Sequence, residues 1–90
     1  DVYENIYIRS LREDWFYVVF KIAQEISLLK KLKNKIRILD IGCGEGHTTK
    51  QILDRLTINY ICDLSEPNKH ALTTAEAMLR PENNIGNAIR

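Results

Sequence analysis

Apolar and polar positions recur with two different periods along the chain. From Leu11 the apolar residues stand at Leu11, Trp15, Val18, Val19, Ile22, Ile26 and Leu29, mostly three or four apart, as on one face of a helix. This spacing predicts helix over residues 10–33, although the β-branched and aromatic cluster WFYVVF, Trp15 to Phe20, also suits a strand. IRILDI then reads as a short buried strand ended by Gly42, and Ile52, Leu53 and Leu56 mark a short amphipathic helix over Thr48 to Leu56. A second β-rich run follows, Ile58 to Cys62. Ser65 is a candidate cap for a further helix, with Pro67 in its first turn and Ala71, Leu72, Ala75, Met78 and Leu79 along one side. RPENN stops that helix, and IGNAIR offers the first residues of a third strand. The order is an α/β one, with right-handed βα units and two neighbouring parallel strands.

Composition narrows the class without naming a chemistry. The chain has 90 residues, 44% hydrophobic and 28% charged, with net charge +1, as in an ordinary globular domain. The longest apolar run, WFYVVF, is far short of the roughly 20 residues that span a bilayer, so no membrane partner is expected. The N-terminus has neither the zones of a secretory signal nor a starting Met, which reads as a portion of a longer protein. Cys43 and Cys62 lack metal-ligand spacing and read as reduced thiols of a cytoplasmic protein. No metal is expected. His47 and His70 read as surface or loop residues. Lys30, Lys31, Lys33, Lys35 and Arg37 form a basic run. A solvated helix end opposing the helix dipole accounts for it better than a nucleic-acid surface.

The candidate chemistry lies at ILDIGCGEGHTT, where Gly42, Gly44 and Gly46 follow a strand and precede a helix. Glycine permits positive φ and lets a ligand approach the main chain, and this position is the ligand end of a parallel sheet. The bland alternative is a tight strand-to-helix turn. Asp63, 21 positions after Gly42, follows the second apolar run where a carboxylate can accept both hydroxyls of a ribose, or else is a plain turn residue. A dinucleotide fingerprint fails, because His47 stands where its third glycine belongs. Asp40, Glu45 and Asp63 are all expected near the crevice, and no Lys or Arg lies between Arg37 and Lys50. Such a field repels a pyrophosphate and suits a cationic sulfonium nucleoside.

ILDIGCGEG resembles the first motif of class I S-adenosylmethionine-dependent methyltransferases, and YICDLSEPN resembles their acid-ended second strand. The resemblance covers Ile36 to Leu79. It implies a partial Rossmann-like parallel sheet, the first βαβα units of that fold, preceded by an N-terminal helix. Residues 1–35 would be the helical segment, a candidate lid, and residues 36–90 an incomplete cofactor-binding α/β domain. It further implies S-adenosyl-L-methionine as cofactor. Gly42, Cys43, Gly44 and Gly46 would lie along its methionine and ribose, Asp40 near its amino group, Asp63 on the ribose hydroxyls and Leu64 near the adenine. Tyr3, Tyr7 and Trp15 are lid candidates, with packing as the alternative.

Three readings follow. The first is methyl transfer to an unidentified acceptor, a small molecule favoured, with no catalytic residue assigned. On this reading residues 1–90 alone are expected to be inactive and to bind cofactor weakly or not at all. The second is a non-catalytic interaction module that oligomerises or docks through an exposed sheet edge. The third, a dinucleotide-dependent oxidoreductase portion, is opposed by the glycine spacing and the acidic crevice.

Overall fold

The computed structural model describes the backbone from Val2 to Arg90 and side chains from Trp15 onward. Helix α1 spans Val2–Ser27 and tightens into a 3-10 turn at Leu28–Lys31. Strand β1, Lys35–Ile41, leads to helix α2, His47–Leu53, and strand β2, Asn59–Ser65, leads to helix α3, Lys69–Leu79. Strand β3, Ile85–Ile89, ends the order. The strands form one sheet in the order β1-β2-β3, with both pairings parallel. IGNAIR does supply a third strand.

Such a sheet grows in one direction, so successive right-handed crossovers fall on one face. Side chains of alternate strand residues point to opposite faces. Cys62 and Leu64 of β2 therefore pack against Leu53 of α2 and Leu72, Ala75 and Leu79 of α3. Burial of each leucine contributes about 1.5 to 3 kcal/mol. On the other face of β1, Lys35, Arg37, Leu39 and Ile41 are exposed. β1 has a sheet neighbour on one side only among the described residues.

Several details differ from the sequence reading: α1 begins at Val2 rather than near residue 10, and α2 ends at Leu53 rather than Leu56. β2 does not stop at Cys62 but runs to Ser65, because Leu64 continues the buried alternation while Asp63 finds partners on the opposite face. Ser65 is thus a strand residue. The α3 cap is Asn68, with extended φ and ψ of −81° and 112°, whose side chain accepts from the Ala71 N–H at 3.0 Å. Among its described side chains α1 buries Val19, Ala23 and Ser27, a narrower stripe than predicted, and leaves Val18 and Ile22 exposed, as is Leu29 in the 3-10 turn. The helix is tied at its middle and at its last residue: Trp15 Nε1 donates to Thr48 Oγ1 at 3.2 Å, and the Thr57 N–H donates to Ser27 Oγ at 3.0 Å. The lid candidates Tyr3 and Tyr7 lie outside the described side chains.

Where β3 meets β2, Cys62 pairs with Ile85 and Leu64 with Ala88, so Gly86 and Asn87 together oppose Asp63 in a bulge. A bulge leaves backbone groups off the ladder. Here the Asn87 N–H donates to Asp63 Oδ1 at 2.7 Å, and the Arg80 guanidinium donates to Ile85 O at 3.2 Å and Gly86 O at 3.0 Å. A Cβ on Gly86 would overlap Asp63 Oδ1 and stand 3.1 Å from Arg37 Nη2. Gly86→Ala is expected to lower stability by about 1 to 3 kcal/mol, the usual range for overpacking. Urea unfolding measures it, and an unchanged midpoint would show that β3 yields freely there.

Candidate functional site: the glycine loop and the tip of the second strand

The main chain leaves β1 at Ile41 and is at once tied to the tip of β2. The Gly42 and Cys43 N–H groups both donate to Ser65 O, at 2.7 and 3.2 Å. Gly42, Gly44 and Gly46 have φ of 73°, 59° and 89°, in the left-handed region that side chains disfavour. Their surroundings separate them. A Cβ on Gly42 or Gly44 would meet nothing within 4 Å, whereas one on Gly46 would lie 3.1 Å from both Ala75 and Leu79 and 3.2 Å from Met78. The first two glycines therefore open a surface, and the third lets α3 close on the loop.

Two carboxylates flank that surface. Glu66, the first residue beyond β2, accepts from the Gly44 N–H at 2.9 Å through Oε1 and from the Asn68 N–H at 2.9 Å through Oε2. Its own N–H donates to Ile89 O at 2.9 Å, so the end of β2, β3 and the glycine loop together fix its position. A carboxylate has about four acceptor sites, and these bonds use two. Asp40, in β1, accepts from Thr49 Oγ1 of α2 through Oδ2. Both acids raise the Cys43 thiol pKa after burial, the larger cause, so the loop lies within the field of the two. Burial, then Asp40 and Asp63, pushes Cys62 up to about 12. Both thiols are free and protonated at neutral pH, hence poor nucleophiles.

Asp63 is not at the tip. It lies inside β2, opposite Leu39 in the parallel register. Arg37 grips it with a fork, Nε to Oδ2 at 2.7 Å and Nη2 to Oδ1 at 2.8 Å, and the Asn87 N–H adds a third bond. Leu64 is fully buried among α2 and α3 side chains and has no face left for an adenine. The basic run also divides. Lys30 and Lys31 end the helical segment as expected, whereas Lys35 and Arg37 belong to β1, and Arg37 serves Asp63. His47 opens α2 and His70 lies in α3, both exposed.

The Arg37 hydrogen bonds, then that of Asn87, hold the Asp63 carboxyl below the usual carboxylate range. Asp54 is lowered as well, first by Asn83 and then by Lys50, whose Nζ lies 3.1 Å from Asp54 Oδ1 and 3.0 Å from Asn83 Oδ1. A carboxyl whose folded pKa is depressed favours the native state fully above its unfolded value of about 4, and that contribution fades as pH falls through the lower native value. Stability is therefore expected to hold down to about pH 5 and to fall below about pH 4. Asp63→Asn and Asp54→Asn should each flatten the fall. Thermal unfolding between pH 7 and 2 measures this, and an unchanged slope in both variants would contradict it.

No protein-family model matches the chain, and no curated protein matches it in sequence. No helix of the described residues is long and apolar enough to cross a membrane. The α/β sheet is compatible with a partial Rossmann-like unit.

Proposed function

We propose that the chain is the cofactor-binding portion of a class I methyltransferase that uses S-adenosyl-L-methionine, with Glu66 taking the part first expected of Asp63. The observation that carries this reading is the Glu66 carboxylate bonded to the Gly44 N–H at 2.9 Å, beside two glycines whose Cβ positions are open. An anion fixed at the tip of β2, with acceptor sites to spare, suits a ribose diol. Among the described residues, the cation paired with a strand acid is Arg37, which is spent on Asp63, so the crevice acids are left to favour a positively charged ligand.

The cofactor, when bound, supplies a methyl group on a cationic sulfur. The chain's residues bind and orient it. Gly42, Cys43 and Gly44 offer main chain at close approach, and Gly46 holds the bend by packing on α3. Asp40, its Oδ2 engaged by Thr49, has its second oxygen for an ammonium group. Pro67, exposed and next after Glu66, inherits the place near the adenine that the resemblance gave to Leu64. Trp15, bonded to Thr48 just beyond the loop, is the lid candidate with a position to serve. A small-molecule acceptor remains the favoured one.

Every group named lies within residues 15–90, so the chain itself is expected to bind weakly. Calorimetric titration with S-adenosylhomocysteine tests this, with 2′,3′-dideoxyadenosine and adenosine as a pair that differ in the diol. Adenosine should bind tighter by about tenfold, or 1.4 kcal/mol. Equal affinities would remove Glu66 from the role.

A second reading is favoured by one observation. Phe16, Tyr17 and Phe20 on α1 and Leu39 and Ile41 on the open sheet face are exposed, large apolar side chains of the kind that interaction surfaces use. A non-catalytic module would use it to associate. Concentration-dependent oligomers that bind no nucleoside would support that alternative.

A further inference from the structure

A recess unconnected with the glycine loop lies at the other end of the sheet, where α1 and its 3-10 turn pass the segment leading from α2 into β2. Its volume is about 370 Å³, with Phe20, Ala23 and Leu28 as an apolar floor and Lys30 and Arg55 among its lining. Both cations are fixed in place by neutral partners. Lys30 Nζ donates to Thr57 Oγ1 at 3.1 Å. Arg55 Nη1 donates to Gln51 O at 2.9 Å and Gln51 Oε1 at 2.7 Å, and the guanidinium sits 5.0 Å from the centre of the Phe20 ring. Among the described residues neither cation is in a salt bridge. Asp54, next to Arg55 in sequence, gives its Oδ1 to Lys50 and Asn83 instead.

Two held cations beside an apolar floor complement a molecule with an anionic head and an apolar body. A carboxylate suits the head, since a guanidinium fork matches its two oxygens and an ammonium adds a point charge. An aliphatic tail suits the floor, where Phe20 is 58% exposed and Leu28 44% exposed. We infer that this recess binds a small amphiphilic monocarboxylate, its head between Lys30 and Arg55 and its tail on Phe20, Ala23 and Leu28. The inference is independent of the methyltransferase reading.

Octanoate is the probe, titrated into the full chain while amide resonances are followed by NMR. The amides of Gln24, Ser27, Leu28 and Thr57 should shift saturably, and those of Gly42 and Gly44 should not. Octan-1-ol, with the same tail, and inorganic phosphate, an anion without one, should each bind at least about tenfold more weakly. Lys30→Gln and Arg55→Gln should each weaken octanoate by about tenfold with the amide spectrum otherwise intact. The two variants are read separately, so a folding defect in one leaves the other decisive. Equal binding of octan-1-ol would show a merely apolar surface and equal binding of phosphate a merely basic one. Either result overturns the inference, as would shifts that follow protein concentration alone, which would place a second copy in the recess.

Discussion

Gly46→Ala is expected to destabilise the chain far more than Gly42→Ala, although both glycines have positive φ. Alanine at either position meets the left-handed backbone cost of about 1 to 2 kcal/mol. At Gly46 the new methyl group would also press on Ala75, Leu79 and Met78 at 3.1 to 3.2 Å, adding about 1 to 3 kcal/mol for overpacking. Small domains have only about 5 to 15 kcal/mol in total, so the Gly46 variant should lose a large share of its stability. Trp15, the single tryptophan, donates to Thr48 next to the loop and is a natural fluorescence reporter for urea unfolding. Equal losses in the two variants would mean that α3 does not close on the loop as described.

Glu66→Gln is expected to weaken S-adenosylhomocysteine binding by about tenfold to a hundredfold, at 1.4 kcal/mol per decade. The amide keeps an oxygen for the Gly44 N–H but gives up the charge and half of the acceptor capacity. Asp63→Asn makes the informative contrast. Its carboxylate is committed to Arg37 and to the Asn87 N–H, so that variant should lose stability while the folded molecules keep their affinity. Calorimetry on the two variants side by side reads the difference. The reverse pattern, with binding lost on Asp63→Asn and kept on Glu66→Gln, would return the acid's role to the interior of β2.

What could be read in the sequence was local. Three glycines after an apolar run need no distant partner to signal a bend, and the helix–strand–helix–strand–helix order follows from period alone. Asp63 misled because an acid in an apolar run reads as a strand end. The partners that let it stay inside β2, Arg37 and Asn87, are 26 and 24 residues away. A signal was nevertheless present: Ile58, Tyr60, Cys62 and Leu64 alternate without a break past Asp63. Following that period carries the strand to Ser65 and makes Glu66 the acid at its tip. The α1 stripe was harder to locate. Six successive apolar residues from Trp15 to Phe20 leave its phase open, and it is set by two distant bonds, Trp15 to Thr48 and Ser27 to Thr57. The bulge at Gly86 and Asn87 had no sequence mark beyond the glycine itself.

On the proposed function, Gly42, Gly44 and Glu66 form one acidic cradle that favours a cationic nucleoside over a dinucleotide. Its most direct measurement is the ¹⁵N–¹H resonances of these three residues as the chain is titrated with S-adenosylmethionine and, separately, with NADH. Saturable shifts of all three are expected with the sulfonium nucleoside, and none with NADH. Matching shifts with NADH, or a glycine loop that responds while Glu66 stays silent, would contradict it.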